Sequence, residues 1–288
     1  MIHFSSIAEL VALADARKTS ISHIILEWES QTSECSTQFV REKMNERLIV
    51  MREAVRQGLE EPAKSFSGLV GEDAQLLANS ASFFGPVAMK TAAFAMAVSE
   101  VNASMGKIVA CPTAGSCGIV PGALLAVAEC CECNDDQLVN ALLTSAGIGE
   151  VIASNATVSG AVGGCQAECG SAAAMAAASV VEMLGGTPQQ AAEAVALALK
   201  NLLGLACDPV AGLVEVPCVK RNAFAAVHSL VAAQMALVGI KSAIPADEVV
   251  AAMYRIGLQM PCSLKETSTG GLAVTPTAQA ITERLKEN

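Results

Sequence analysis

The sequence has few aromatic and few charged residues. Only 3% of its 288 residues are Phe, Trp or Tyr and 16% are Asp, Glu, Lys or Arg, whereas 52% are hydrophobic. The interior must therefore be filled by Ala, Val, Leu, Ile and Met. An Ala-rich chain with few β-branched and aromatic clusters is typical of helices. The composition predicts an all-α fold.

Basic residues are too few for a nucleic-acid-binding protein. The chain carries 18 Lys and Arg against 28 Asp and Glu, which gives a net charge of -10. Binding to a phosphate backbone requires clustered cations. We therefore expect no nucleic-acid partner.

Long uninterrupted apolar runs are also missing. The apolar stretch 108–130 is broken by Pro112 and Gly115, and the stretch 224–240 carries His228 and Gln234. A transmembrane helix needs about 20 consecutive apolar residues. The first residues show no basic segment followed by an apolar one, so no secretory signal is predicted. We expect a cytoplasmic protein that does not bind a membrane.

The apolar pattern predicts a single Ala-rich helical domain with an N-terminal helical extension. Within the extension, apolar residues recur at three- and four-residue steps on one helical face: Met44, Leu48, Met51, Val55 and Leu59. Beyond residue 66 the chain becomes a succession of Ala-rich stretches separated by Gly- and Pro-containing turns. The predicted units are the extension, 1–66, and the larger helical domain, 67–288.

Two helix starts can be read directly from the sequence. Thr187, Pro188 and Gln190 have the pattern of an N-terminal capping box, which predicts a helix from Pro188 to about Leu203. A second start lies at 245–248, where acidic residues in the first turn favour the helix dipole.

Cysteine is the first indication of function. Eleven cysteines without a secretory signal favour free thiols or metal ligands over disulfides. Three Gly-rich loops that contain cysteine interrupt the helices: 111–122, 159–169 and 206–218. Cys165, Cys207 and Cys218 each lie beside Gly or Pro, where the backbone can approach an inorganic cluster. Spacing alone leaves two interpretations open, a metal site and buried apolar thiols.

Segments throughout the chain resemble the iron–sulfur L-serine dehydratases, and specifically the α chain of the two-subunit form. The similar segments are 67–69, 102–110, 112–116, 118–122, 163–168, 207–218, 221–222, 265–267, 270–273 and 275–277. The resemblance covers nearly the whole chain. It implies a lyase that converts L-serine to pyruvate and ammonia.

The resemblance also implies a cofactor. In this family three cysteines hold a [4Fe-4S] cluster, and the matching positions are Cys165, Cys207 and Cys218. Three ligands for four irons leave one iron open to act as a Lewis acid on the substrate. Nearby cysteines outside the matched positions are treated as non-ligands: Cys111, Cys117 and Cys169.

The general base is not identified in this chain. His228 is a weak candidate, because a histidine on an apolar helical stretch is more often a buried structural residue. The family carries a Ser-Ser-Ser-His-Thr-type motif in a β chain, and nothing here matches it. The resemblance therefore implies a hetero-oligomer in which the β chain supplies the base.

Polar residues in the loops are candidates for binding the carboxylate or ammonium of L-serine. They are Thr113, Ser116, Asn155 and Ser159. Turn and cap hydrogen bonds would explain these residue types equally well.

Three other functions stay open at this point. A pyridoxal-phosphate dehydratase would form a Schiff base with a lysine such as Lys90, Lys107 or Lys200. An L-cysteine desulfidase-type lyase would use the same cofactor on a related substrate. A non-enzymatic iron–sulfur redox or sensor module would add a fourth protein ligand.

Overall fold

Helices dominate the computed structural model, which describes residues 2–287. These residues contain no β-strand, and the only bridge of strand type joins Cys207 to Lys265. The all-α prediction is confirmed. The α-helices are α1 (Ile7–Arg17), α2 (Ile21–Thr32), α3 (Thr37–Glu60), α4 (Asp73–Ala78), α5 (Pro86–Ala103), α6 (Ile119–Cys131), α7 (Asp135–Asn155), α8 (Gly160–Gly163), α9 (Ser171–Met183), α10 (Pro188–Lys200), α11 (Cys218–Leu237), α12 (Ala246–Gln259) and α13 (Pro276–Lys286).

Short helical turns of other types occupy the loops. Four are 3-10 turns: Ala114–Ser116, Val210–Gly212, Cys262–Leu264 and Gly271–Val274. The fifth is a π-helix, Gln166–Gly170, which runs directly into α9. Such π segments are rare and often lie at functional sites.

Helix α9 forms the centre of the molecule. It packs against α6, α7, α10 and α11, and nearly all of its residues are buried. Its sequence SAAAMAAASVVEM contains few large side chains, so the surrounding helices can approach its backbone closely. Burial of this Ala-rich helix on every side follows from the shortage of aromatic and charged residues in the chain.

Helices α5 and α6 are in direct backbone contact. A Cβ added to Gly118 would collide with the carbonyl oxygen of Ala95, and one added to Gly122 would lie 2.7 Å from the Ala95 nitrogen. Only glycine permits this approach. The contact fixes the start of α6, which begins at Ile119, within the predicted loop 111–122.

The N-terminal helices share the core of the larger domain. Helix α1 contacts α10 and α12, α2 contacts α7, and α3 contacts α5 and α7. Leu10, Ile24 and Leu48 are among the fully buried residues of the main hydrophobic cluster. The predicted extension 1–66 is therefore integrated into the core.

The predicted helix boundaries are mostly confirmed. The capping box of α10 forms as expected, with the Gln190 N–H donating to Thr187 Oγ1 over 3.2 Å. Helix α10 ends at Lys200 and not at the predicted Leu203. The Asn201 side chain donates to the carbonyl of Leu197 over 2.8 Å and satisfies a backbone group that would otherwise continue the helix.

Among residues 2–287, one helical segment is by length and composition apolar enough to cross a membrane. It spans Ala114–Cys131, and 72% of it is buried inside the fold. Its burial is that of a core helix, as expected for the helix α6 that packs against α5 and α9.

Candidate active site

The loops that carry Cys165, Cys207 and Cys218 meet at the N-terminal end of α9. Cys165 precedes the π-helix, and the Gln166 N–H donates to the carbonyl of Leu205 over 3.0 Å. Cys218 is the first residue of α11. One turn later, Arg221 donates to the carbonyl of Ala206 over 2.7 Å. The structure thus brings three segments that are distant in sequence into one site.

The three thiols lie close enough to influence one another electrostatically. Burial raises the pKa of the Cys218 thiol to about 12, and the nearby Cys165 and Glu168 add to the effect. Burial likewise raises the pKa of Cys207, and the charges of Glu168 and then of Cys165 raise it further. Cys165 and Cys207 are buried, and Cys218 is partly exposed.

Cys169 is the direct neighbour of Cys165. The two Sγ atoms lie 3.3 Å apart, one helical turn from each other. Their hydrogen bond lowers the pKa of Cys165, the adjacent Arg221 guanidinium lowers it further, and the same hydrogen bond raises the pKa of Cys169. Cys169, treated as a non-ligand in the sequence, therefore belongs to the same thiol group.

A buried carboxyl group, Glu168, lies between two of the loops. Its Oε1 accepts a hydrogen bond from Thr113 Oγ1 over 2.6 Å, and its Oε2 lies 3.7 Å from Cys207 Sγ. Burial raises the pKa of this carboxyl group. The sequence analysis missed Glu168 as a site residue, although the segment 163–168 ends on it.

Two glycines make room for the Glu168 carboxylate. A Cβ on Gly115 would lie 3.0 Å from Oε1, and a Cβ on Gly160 would lie 2.6 Å from Oε2 and 3.1 Å from Cys207 Sγ. These distances explain why both loops are glycine-rich at these points. At Gly115 and Gly160, backbone atoms therefore line the space around the Glu168 carboxylate.

Asp208 and Arg221 connect the loop 206–218 to the turn at Gly271–Val274. Arg221 donates to Asp208 Oδ1 over 2.9 Å, and the Leu272 N–H donates to Oδ2 over 2.8 Å. Gly271 has a φ of +60°, and any Cβ there would strike the Asp208 carboxylate. Arg221 is therefore engaged in a partly buried ion pair, and neighbouring Lys220 pairs with Asp73.

Asn222 holds the first loop against α11. Its side chain accepts from the Gly118 N–H over 2.9 Å and donates to the carbonyl of Gly115 over 2.8 Å. The side chain is fully buried. Asn222 therefore sets the position of Thr113 and Ser116 relative to the cysteine loops.

The predicted substrate-binding residues fall into two groups. Thr113 and Ser116 lie at the site, with their hydroxyl oxygens 3.1 Å apart. Ser159 occupies the N-cap position of α8 without a side-chain capping hydrogen bond, and the next residue, Gly160, packs against the Glu168 carboxylate. Asn155 donates its side-chain N–H groups to the carbonyls of Ser5 and Val151 over 2.7 and 2.8 Å. Its amide nitrogen is therefore occupied by hydrogen bonds within the fold.

His228 points from α11 towards α10. Its Nε2 lies 2.8 Å from the carbonyl oxygen of Ala198 in a partly buried position. This contact gives the histidine a structural role between two helices. Its role as general base stays a prediction.

The remaining cysteines separate into buried and surface groups. Cys111 and Cys117 are buried, and burial raises the pKa of Cys117 to about 12. Cys130, Cys131 and Cys262 are exposed. None of the eleven cysteines is in a disulfide.

The arrangement defines an all-helical protein with a buried site of thiols and one carboxyl group, open at Cys218. The family model described as "Serine dehydratase alpha chain" matches residues 16–273. The chain belongs to this family.

Individual relatives agree with the family assignment. The chain is 49% identical to the "Probable L-serine dehydratase, alpha chain" of Bacillus subtilis, over 98% of this chain and 95% of that one. It is 43% identical to the "L-serine dehydratase, alpha chain" of Peptoniphilus asaccharolyticus, over 95% of both. "L-serine dehydratase 2" of Escherichia coli is 45% identical over 63% of this chain but only 40% of its own length. Some relatives therefore carry a large additional part.

Proposed function

We propose that this chain is the α subunit of a cytoplasmic L-serine dehydratase, a lyase that converts L-serine to pyruvate and ammonia. The observation that carries the proposal is the convergence of Cys165, Cys207 and Cys218 around one partly open site. The family and the names of the full-length relatives support the same reaction.

The proposed cofactor is a [4Fe-4S] cluster held by these three cysteines. Thiols are the usual ligands of such clusters, and three of them from separate loops meet here. No three His, Cys, Asp or Glu side chains among residues 2–287 surround a single ion, whereas a cluster takes its ligands at separate corners. When bound, a cluster with three protein ligands supplies an open iron that acts as a Lewis acid on the leaving hydroxyl group.

Residues of the first two loops are proposed to bind the substrate. Thr113, Ser116 and Ser159 offer hydroxyl groups to the serine carboxylate, and the hydrogen bonds of Asn222 to the first loop keep Thr113 and Ser116 oriented. Glu168 offers a carboxylate oxygen to the ammonium group. The glycines at 115 and 160 leave room for this carboxylate.

The general base is proposed to come from a β chain. His3 and His23 lie in the N-terminal part of the chain, His23 pairs with Glu27, and His228 binds a backbone carbonyl. None of the three lies on the cysteine loops. A second polypeptide at the open side, near Cys218, would complete the site and form a hetero-oligomer.

Anaerobic reconstitution tests the cofactor assignment. The full chain is treated with iron and sulfide, and bound iron is measured for the wild type, for Cys207→Ser and for the matched surface control Cys262→Ser. We expect Cys207→Ser to lose most of the iron and Cys262→Ser to retain it. Equal iron in all three proteins would disprove the ligand assignment.

Pyruvate formation tests whether the general base comes from the β chain. We expect the reconstituted chain to release pyruvate from L-serine only when its β chain is present. Full activity of the α chain alone would show that the base lies within this chain. Sulfide release from L-cysteine in the same samples distinguishes a desulfidase.

A further inference from the structure

A large cavity lies apart from the thiol site, between the N-terminal helices and α7. Its volume is about 630 Å³, within the range of small-molecule pockets. The walls come from α2, α3, α6, α7 and α9 and from residues 33, 35, 109–112 and 158. The proposed reaction uses none of the wall residues, although Pro112 is adjacent to Thr113 and Val158 to Ser159.

The interior of the cavity is apolar. Side chains that line it include Trp28, Met44, Leu142 and Met175, together with Val109. Phe4 supports Trp28 from behind, with the ring centroids 5.3 Å apart. A preformed apolar interior of this kind binds an aliphatic or aromatic group by removing its surface from water.

Charges of both signs lie at the edge of the cavity without ion-pair partners among residues 2–287. Arg47 donates only to the backbone carbonyl of Lys43, over 3.1 Å. Glu29 accepts from Ser33, and Glu150 accepts from Ser154. All three residues line the cavity, so a cation and two carboxylates remain available to a ligand.

We propose that this cavity binds an amino acid with a branched aliphatic or aromatic side chain. The ligand carboxylate would pair with Arg47, the ammonium group with Glu29 or Glu150, and the side chain would fill the apolar interior. Only a zwitterion with an apolar body satisfies both signs of charge and the interior together. A polar amino acid such as L-serine would leave the interior unfilled.

The fluorescence of Trp28 provides a direct assay, because it is the only tryptophan in the chain. Trp28 emission of the full chain is followed during titration with L-leucine and L-phenylalanine. We expect a saturable change in emission in the low millimolar range or tighter. Leucinamide and 4-methylpentanoate, which each lack one charge, should bind about tenfold more weakly, the effect of one lost charge-assisted hydrogen bond. L-Serine should produce no saturable change.

Variants separate this site from non-specific effects. Arg47→Gln should weaken L-leucine binding about tenfold, whereas Arg56→Gln, on the same helix but outside the cavity, should leave it unchanged. Ala146→Phe, at an exposed position of the wall, should abolish binding by filling the space.

Three results would overturn the proposal. The first is constant Trp28 emission with both amino acids. The second is equal affinity in the Arg47→Gln and Arg56→Gln variants. The third is a change in emission on addition of the β chain but not of amino acids, which would show that a protein surface occupies the cavity.

Discussion

At the scale of single residues, Glu215 joins two distant parts of the chain. It is buried in the loop 206–218 and accepts a hydrogen bond from Ser65 Oγ over 2.6 Å. It also accepts from the Ser67 hydroxyl and, over 3.3 Å, from the Ser67 N–H. The loop between α3 and α4 is thereby attached to the segment that leads into Cys218.

We expect Glu215→Ala to lower the free energy of unfolding by about 3 kcal/mol, since it leaves two buried or half-buried serines without an acceptor. Urea denaturation followed by circular dichroism measures the change. The control, Glu61→Ala, removes a surface ion pair and should cost less than about 1 kcal/mol. Equal costs in the two variants would show that the Glu215 contacts do not stabilise the fold.

The sequence predicted the cysteines of the site but not the carboxyl group among them. Cys165, Cys207 and Cys218 stand in segments that resemble the family, whereas their spacing alone left a metal site and buried thiols both open. The role of Glu168 depends on its closeness to Thr113 and Cys207, 55 and 39 residues away. Only the folded chain brings these residues together, so no local pattern could have revealed it.

At the scale of helices, the contact between α5 and α6 depends on glycine. Gly118→Ala would drive a methyl group into the backbone of Ala95, and a backbone atom cannot move aside as a side chain can. We expect the free energy of unfolding to fall by about 3 kcal/mol, as for other overpacked cores. Chemical denaturation measures it.

Gly85→Ala is the matched control for this change. Gly85 precedes α5, and a Cβ there would meet no atom within 4 Å. Its substitution should change the stability by less than about 1 kcal/mol. A Gly118→Ala variant as stable as Gly85→Ala would mean that the two helices can separate at little cost.

Helices with clear caps and periodic apolar faces were predictable, and the π-helix was not. Helices α3, α10 and α12 follow from local sequence, because amphipathic spacing and capping residues act within a few residues. The π-helix Gln166–Gly170 depends on the Gln166 side chain, which donates to the carbonyl of Met253 over 3.1 Å and accepts from the Gly204 N–H over 2.9 Å. Its partners lie on other elements.

At the scale of the whole molecule, the burial of α9 predicts that its amide groups are better protected from hydrogen exchange than those of peripheral helices. Its amide groups lie in the core, and we expect them to exchange with solvent only during global unfolding. Helix α13 has a single buried residue, Ala278, and should exchange through local opening. Hydrogen exchange followed by mass spectrometry measures both. Equal protection of α9 and α13 would contradict this view of the core.

The overall arrangement around α9 could not be derived from the sequence. Composition and periodicity predicted an all-α fold and several individual helices, because both signals are local. The sequence contains many Ala-rich stretches that look alike, and nothing in their composition shows which one lies at the centre. The packing of α9 against α6, α7, α10 and α11 makes that choice, and it appears only in three dimensions.

The division of the cysteines has a practical consequence for handling the protein in air. Cys130 and Cys131 lie exposed at the end of α6, whereas Cys165 and Cys207 are buried. Oxidants and alkylating reagents will therefore reach this pair and the exposed Cys262 first. Ageing samples should accumulate covalent dimers linked through these surface cysteines while the interior thiols are still intact, so a band at twice the chain mass does not prove that the site is damaged.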